Sequence, residues 1–433
     1  MAKEKNKEGQ SDQTLSAIVR RQFNKNRPAV WSLRLLALIF VIGMSANFIA
    51  NEKPYYCQLN GKSYYPVFKE TGVALGITQW PNELSNVNWR DLKYEKVIWA
   101  PVPYSPTTLD LGNKDYVSPM ATQQIESAKW KHYLGTDNLG RDVLSGMIHG
   151  TTVAMMVGVV SMSVALLLGL FFGALAGYYG DNKLKMTRLT LFLNIAFLPF
   201  AFFYAFGVRS YTLTDALAIS IIGFAGHLLL SLAIFIVIMS IPNLLDRFLK
   251  KIPYLGTEVS VPVDIIVSRI IEILESIPSL LLLLAIVAII DKPSLMIVMV
   301  IIGFTRWTGI ARYLRAELLK VRSLEYVEAA QALGFPEWRI ILRHTLPNSI
   351  TSVLISVSFG IASAILLESS LSFLGIGVPP EQVTWGSMLS LARGVPQAWW
   401  IAIFPGFAIF VTVTIFNLIG DGLTDALDPR LKQ

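Results

Sequence analysis

Long apolar segments alternate with short polar ones along most of this chain. Several of the apolar runs approach or reach about 20 residues, the length of helix that crosses the hydrocarbon core of a bilayer. A helix is expected there because it satisfies its own backbone hydrogen bonds where no water is available. We therefore predict an all-α, polytopic membrane protein with about eight transmembrane helices. The predicted spans are residues 31–50, 152–178, 189–208, 215–241, 265–290, 295–310, 350–367 and 399–419.

The polar segments between these runs divide the chain into predicted regions. A basic tail, with a short amphipathic helix near Leu15–Phe23, precedes the first span. The 51–145 segment is polar and contains many prolines and aromatic residues, so we predict an enlarged outer loop or small domain. Its tryptophans form either a small core or a docking face, and we favour a core. The predicted regions are a cytoplasmic tail (1–30), a first transmembrane helix (31–50), the outer segment (51–145) and a transmembrane domain (146–431), which contains a hairpin of spans (181–262) and a polar loop (312–349).

Gly169, Gly173 and Gly177 recur at four-residue intervals in the second predicted span. Residues at this spacing share one face of a helix, and glycines on that face let another helix approach closely. We therefore predict that this face packs against a neighbouring transmembrane helix.

The composition also indicates a membrane protein. Hydrophobic residues make up 53% of the 433 residues and charged residues only 15%, whereas soluble chains average about a quarter charged residues. The net charge of +7 raises the alternative of a nucleic-acid partner. The strongly basic short loops, however, all fall on one side of the predicted topology. This positive-inside pattern favours a membrane protein with both termini in the cytoplasm and no nucleic-acid partner.

No pattern in the sequence indicates catalysis or metal binding. Gly61-Lys62-Ser63 lacks the earlier glycine that a phosphate-binding loop requires, because Tyr56 stands there. The four histidines have no metal-ligand spacing, and no nucleophile–base arrangement is visible. Cys57 is the single cysteine, which excludes an intramolecular disulfide. We predict that the chain is not an enzyme and that it holds no metal or cofactor itself.

The most informative polar stretch is residues 328–347, which lies between apolar runs. Ser323 is a predicted N-cap for a first short helix, and Gly334 suits the positive φ that ends such a helix. Pro336 fits the first turn of a second short helix, and Pro347 is predicted to end it. The helix–corner–helix pattern alone fits an ordinary amphipathic connector as well as a docking surface. Three alanines leave one side of the first helix thin enough for another protein to approach: Ala329, Ala330 and Ala332.

The spacing of Glu328-Ala-Ala, Gly334 and Leu346-Pro347 resembles the EAA loop of binding-protein-dependent ABC importer permeases. Other segments resemble the C-type permeases of the dipeptide, oligopeptide and nickel transport family. The resemblance covers residues 31–50, 132–180 and 263–431. The segments that carry it are Leu134-Gly-Thr-Asp-Asn-Leu-Gly-Arg-Asp-Val-Leu-Ser145, Gly177-Tyr-Tyr-Gly180, Glu368-Ser-Ser-Leu-Ser-Phe-Leu-Gly-Ile-Gly-Val-Pro-Pro380 with Trp385-Gly386, and Asp421-Gly-Leu-Thr-Asp-Ala-Leu-Asp-Pro-Arg-Leu431.

The resemblance implies a type I ABC importer permease core in a bacterial inner membrane, with residues 51–145 on the periplasmic side. It makes residues 312–349 a cytoplasmic coupling loop that docks on an ATPase. The implied partners are a second homologous permease, two ABC ATPase subunits, an extracytoplasmic solute-binding protein and membrane lipid. ATP and Mg²⁺ would be held by the ATPase subunits. The implied coupling residues are Glu328, Ala329, Ala330, Gly334, Leu346 and Pro347.

The chain departs from the family pattern in two places. Such permeases have six spans and a shorter first outer loop, whereas this chain enlarges that loop and inserts the 181–262 hairpin. These additions leave the substrate open: peptides are favoured, and nickel or another small solute is the alternative. A secondary transporter that works without ATPases is a more distant alternative, because few mid-membrane polar residues and no clear inverted repeat are visible.

Several ionisable residues are candidates for the translocation path or its gate. Glu368, at the outer end of a span, either lines the path or holds the following segment in place. Asp137 and Arg141, with Asp142, form either an outer gate or a local capping network. A third set shares one helix face, where we favour a structural ion pair over a functional role; its members are Arg269, Glu272 and Glu275.

Overall fold

The computed structural model describes residues 15–74, 78–81, 84, 87–249, 257–290, 294–377, 379 and 382–427. These residues are mostly helical, as predicted, and they also form two small antiparallel sheets. Residues 175–179, 203–207 and 341–345 are π-helical turns. The elements are α1 (Leu15–Phe23), α2 (Arg27–Met44), α3 (Ala46–Ile49), β1 (Tyr56–Leu59), β2 (Lys62–Tyr64), α4 (Pro66–Ala74), β3 (Lys96–Ile98), α5 (Val143–Ala174), β4 (Lys185–Thr187), α6 (Arg188–Phe202), α7 (Ser210–Ile219), α8 (Ile221–Leu249), β5 (Glu258–Ser260), α9 (Val263–Ser276), α10 (Ser279–Ala288), α11 (Leu295–Val321), α12 (Glu325–Ala332), α13 (Glu337–Ile340), α14 (Leu346–Phe373), α15 (Trp385–Ala392) and α16 (Trp399–Leu427).

The chain divides into two compact units, one made of residues 1–161 and 358–433 and the other of residues 162–357. In the first unit, part of the 51–145 segment folds around its own aromatic core. β1 pairs with β2 and β3 in a three-stranded antiparallel sheet of order β2-β1-β3. Cys57 on β1 is fully buried among Trp80, Trp89 and Trp99, and this burial raises the pKa of its thiol. The predicted aromatic core is therefore confirmed.

The transmembrane part of the first unit is held together by helix caps and close helix contacts. The predicted amphipathic helix at Leu15–Phe23 is present as α1. Asn26 caps α2 by accepting a hydrogen bond from the Ala29 N–H at 3.1 Å, and its side-chain amide donates to Asp425 on α16 at 2.9 Å. α2 packs so closely on α16 that a Cβ at Gly422 would lie 2.3 Å from the Cβ of Ala29.

In the second unit, the C-terminal half of α5 packs against α11 through the predicted glycine face. A Cβ at Gly169 would lie 2.6 Å from Ile310, and one at Gly173 would lie 2.9 Å from the carbonyl oxygen of Ala311. A Cβ at Gly177 would lie 2.7 Å from the Cβ of Leu318. These contacts confirm the prediction, because each is closer than a real Cβ tolerates.

The extra hairpin is closed at its base by β4 and β5, which pair Lys185 with Ser260. α6, α7 and α8 follow within it. The spans predicted at 189–208 and 215–241 imply a turn at 209–214, which is wrong, because residues from Ser210 onward form α7 and the next helix begins at Ile221. Residues 210–219 contain neither glycine nor proline, so nothing in their backbone opposes a helix. The turn predicted at 291–294 falls largely on residues 291–293, outside the described residues.

The span predicted at 265–290 is not one straight helix. α9 ends at Ser276, α10 begins at Ser279, and the two helices are bent by 84°. Ile277 has φ −95° and ψ 127°, the extended conformation that a following proline imposes, and Pro278 cannot donate a helical hydrogen bond. Among the described residues, seven helices are long and apolar enough to cross a membrane, or eight if the bent pair is one span. The prediction of about eight spans agrees with this count.

Candidate functional site

The predicted polar loop at 312–349 begins inside a helix rather than after one. α11 continues past the predicted span end at residue 310 and stops at Val321. Ser323 is not the N-cap of the next helix, because its hydroxyl donates to the Lys320 carbonyl at 2.9 Å. Leu324 occupies the cap position without a side-chain hydrogen bond. Ser323 lies one residue before the N-cap position, and its hydroxyl bonds to the preceding helix instead. The prediction that Ser323 caps α12 was therefore wrong.

The corner between α12 and α13 forms at Gly334, as predicted. Gly334 has φ +75°, a region that non-glycine residues seldom adopt. Its N–H donates to the Gln331 carbonyl at 2.9 Å, and the Phe335 N–H donates to the Ala330 carbonyl at 3.2 Å. Pro336 stands at the N-cap position, directly before α13. These bonds satisfy the carbonyls that the end of α12 leaves free.

One side of the α12–α13 pair is anchored to the rest of its unit. Val327, Ala330 and Ile340 are buried in a cluster with Val321 and with Tyr178 at the end of the α5 helix. The Tyr178 hydroxyl accepts a hydrogen bond from the side-chain amide of Gln331 at 3.5 Å. Of the three alanines predicted to be approachable, Ala330 is therefore covered by the chain itself. This side of α12 is therefore in direct contact with Tyr178 at the end of the α5 helix.

The opposite side of the pair is exposed and apolar. Leu333 is 74% exposed and Trp338 is 64% exposed, and both flank the Gly334 corner. Phe335 is also exposed, and the Arg339 guanidinium lies 5.1 Å from the centre of its ring. Exposed apolar side chains of this size mark protein–protein or membrane contact sites. Three of the residues predicted to take part in coupling are also exposed: Glu328, Ala329 and Gly334.

Leu346 and Pro347 begin the long helix α14 instead of ending α13, so the predicted stop at Pro347 is wrong. The helical path continues from α13 through a π-helical turn, in which the Leu346 N–H donates to the Ile341 carbonyl. In a regular helix the proline ring would collide with the carbonyl four residues earlier. The wider turn just before Pro347 relieves that collision. The helix α13 is thus continuous with the long helix α14.

Glu368 is placed near the end of α14, 2% exposed. Its carboxylate accepts a hydrogen bond from the Ser372 hydroxyl at 2.6 Å, and the Thr384 side chain lies near enough to interact with it. Thr384 is the N-cap of α15 and accepts from the Ser387 N–H at 3.1 Å. These contacts fit the second hypothesis for Glu368, in which it holds the segment after α14 in place.

Asp137 and Arg141 pair with each other, with Arg141 Nε 2.6 Å from Asp137 Oδ2. The Asp137 carboxylate also accepts from the Leu139 N–H at 2.8 Å and from the Arg141 N–H at 2.9 Å. This is the local network that the sequence offered as one alternative. Both residues also line a cavity of about 290 Å³ beside Ser372, the hydroxyl partner of Glu368. The structure therefore places Asp137 and Arg141 at one cavity, next to the serine that bonds to Glu368.

A buried histidine network in the 51–145 segment was not predicted. His132 is fully buried, with Nδ1 2.8 Å from Asp142 and Nε2 3.2 Å from Asp110. Asp142 also caps α5 by accepting from the Ser145 N–H at 2.7 Å. Burial alone would raise the pKa of Asp110, but hydrogen bonds from Asn113 and His132 hold that pKa below its usual range. The network ties the segment to the start of α5.

The predicted pair of Arg269 and Glu272 is present at 2.5 Å. Glu275 on the same face pairs with Arg312 of α11, and Asp264 accepts two hydrogen bonds from Arg315. These ion pairs join α9 to α11 and support the structural role that we favoured. Sequence reasoning overlooked Arg306, a charged residue inside the apolar run at 295–310.

The chain is similar in sequence to known transport permeases. A family model described as "Binding-protein-dependent transport system inner membrane component" matches residues 254–433. The glutathione transport system permease protein GsiD of Pectobacterium atrosepticum is 32% identical over 70% of this chain and 74% of its own length. The dipeptide transport system permease protein DppC of Alkalihalophilus pseudofirmus is 28% identical over 75% of this chain and 80% of its own. The peptidoglycan transport system permease protein YejE of Agrobacterium fabrum is 26% identical over 95% of this chain and 92% of its own.

Proposed function

This chain belongs to the family of binding-protein-dependent ABC importer permeases, and on that premise we propose that its α12–α13 segment couples transport to separate ATPase subunits. The chain is a multi-pass membrane permease subunit. The observation that carries the proposal is the exposed apolar surface around Gly334, formed by Leu333, Phe335 and Trp338. Its other side packs on Tyr178, so force applied at the surface reaches a transmembrane helix.

The coupling proposal predicts that Trp338→Asp weakens ATPase association without unfolding the permease. Trp338 is largely exposed, so the change should cost the chain little of its own stability. A central aromatic in a docking surface contributes at least about 2 kcal/mol, so co-purification of the ATPases should fall by at least about tenfold. Tyr133→Asp is a matched control, because Tyr133 is exposed in the 51–145 segment. Equal ATPase recovery from both variants would contradict the proposal.

The proposed partners are two ATPase subunits, a second homologous permease and a solute-binding protein. ATP and Mg²⁺ would bind to the ATPases, so this chain would be a non-catalytic subunit. The rival hypothesis, a secondary transporter, requires uptake without ATPase subunits. Purification through a tag on this chain separates the two, because only an ABC permease retains ATPases and loses transport when they are removed.

We propose peptides as the substrate, with nickel or another small solute as the alternative. Two relatives are named as dipeptide and glutathione transport permeases. The alignment to the YejE relative covers 95% of this chain, so it includes most of both additions, the 51–130 region and the 181–262 hairpin. The purified complex, supplied with its loaded binding protein in liposomes, should accumulate labelled peptide; accumulation of nickel and not peptide would favour the alternative.

We further propose a bacterial inner-membrane location with both termini in the cytoplasm. In that orientation the turn that precedes α7 faces outward, and Ser210 at the start of α7 is exposed. A cysteine at Ser210 should then react with a membrane-impermeant maleimide in intact inner-membrane cells. The background is Cys57→Ala, which keeps the buried position apolar. Labelling that appears only after the membrane is opened would reverse the orientation.

A further inference from the structure

Arg306 lies within the apolar helix α11, eleven residues after its first residue, Leu295. At 1.5 Å per residue this places it about 17 Å along the helix. A hydrocarbon core of about 30 Å that begins at Leu295 would therefore contain Arg306. An ionisable side chain at this depth normally faces a partner charge, a water-filled cavity or the interior of a helix bundle.

The other cations of α11 all have carboxylate partners. Arg312 pairs with Glu275, Arg315 pairs with Asp264, and Lys320 lies 3.9 Å from Glu317; the cations and their partners are all within the second unit. Within the described part of the chain, Arg306 is in no such ion pair, and its Nε is shielded from solvent without a hydrogen-bond partner. The guanidinium is thus the one α11 cation whose described surroundings supply no anion.

Two positions that follow Arg306 on its face of α11 are open within their unit. Gly309 and Tyr313 follow on the same face, at three- and seven-residue spacing. A Cβ at Gly309 would meet no atom within 4 Å, and Tyr313 is 57% exposed. By contrast Trp307, the next residue along, is buried against Phe172 of α5. Space for an anionic group therefore exists one turn from Arg306, at Gly309 on the same face.

We propose that Arg306 lines the translocation path and binds the C-terminal carboxylate of a peptide as the peptide crosses the membrane. This inference rests on the peptide-import function proposed above. Lipid chains cannot neutralise a guanidinium, and the described residues supply no carboxylate to Arg306, so a carboxylate of the transported molecule would complete the pair. Peptides of different sequence share only their backbone and termini, and a guanidinium recognises a carboxylate with two parallel hydrogen bonds. One arginine in the path would therefore serve many sequences.

The test compares Arg306→Gln with the unmodified importer, assembled with its partners in liposomes. Each complex receives saturating binding protein preloaded with a labelled tripeptide, either as the free acid or as the C-terminal amide. Saturation removes the preference of the binding protein itself from the measured rate. Loss of a charge-assisted pair should lower free-acid uptake by about tenfold or more and change amide uptake by less than about twofold. Arg306→Lys keeps the charge but cannot donate two parallel hydrogen bonds. Its free-acid uptake should therefore lie between those of the unmodified importer and Arg306→Gln.

Arg269→Gln is the matched control, because Arg269 is exposed and pairs with Glu272 on its own helix; it should leave both rates unchanged. Co-purification of all subunits verifies that each variant assembles. Equal losses with both peptides would assign Arg306 to a fixed pair with an acidic residue of the second permease and overturn the proposal. Unchanged rates would also overturn it. If the unmodified complex takes up neither peptide, the peptide-import function itself fails, which is a different result from an unchanged preference in the variant.

Discussion

Replacing Gly334 with valine is expected to abolish uptake while the protein still inserts into the membrane. The φ of +75° at this corner strains a β-branched residue by about 1–3 kcal/mol. A Cβ there would meet no atom within 4 Å, so the defect is backbone strain and not a collision. Relaxing that strain is expected to change the angle between α12 and α13 and, with it, the arrangement of Leu333 and Trp338. The surface proposed to hold the ATPase would then be lost.

The measurement is uptake at matched expression, together with recovery of ATPase subunits on purification. Gly334→Asn should be milder than Gly334→Val, because asparagine tolerates the left-handed region better than other non-glycine residues. Gly394→Val is the control for side-chain volume: a Cβ at Gly394 also meets nothing within 4 Å, and its φ is not positive. Normal uptake by Gly334→Val would remove the coupling role from this corner.

The features that the sequence predicted well depend on local residue patterns. The glycine face of α5 follows from four-residue spacing, and the positive φ of Gly334 follows from a glycine at the end of a helix-forming run. The prolines were less informative about where helices end, because a proline can either break a helix or be accommodated within it. Pro278 breaks its span, whereas Pro347 is accommodated by a π-helical turn. The difference depends on what packs around each helix, which the local sequence does not contain.

The features that were missed depend on partners far apart along the chain. His132 contacts Asp142 and Asp110, which lie ten and 22 residues away, so no helical or strand spacing connects them. Arg306 was overlooked for another reason: the mean hydropathy of its run remains high despite one charge. Its significance appears only when the other α11 cations are seen to be paired. A charged residue inside a predicted span was the available signal.

Removing residues 55–98 is expected to reduce stimulation of ATP hydrolysis by the loaded binding protein, with ATPase assembly intact. We propose that this part of the 51–145 segment helps receive the binding protein. The tryptophans are used in its core, and the exposed aromatic residues are Tyr65 and Phe68. Losing such anchors costs at least about 2 kcal/mol, so the half-maximal concentration of binding protein should rise by more than about tenfold. The coupling surface is on another part of the chain, so ATPase recovery should not change.

The two ends of this excision lie close together in the structure. The Tyr55 N–H donates to the Ile98 carbonyl at 2.8 Å, so a short Gly-Ser linker can join the flanking residues without moving them. A larger deletion of residues 60–125 would also remove Tyr104, whose carbonyl accepts from Ser145 of α5, and Asp110, the partner of buried His132. That loss would disturb the start of α5 and confuse a docking defect with misfolding. If the 55–98 deletion complex assembles and responds to loaded binding protein as the intact complex does, this part of the segment has no role in docking.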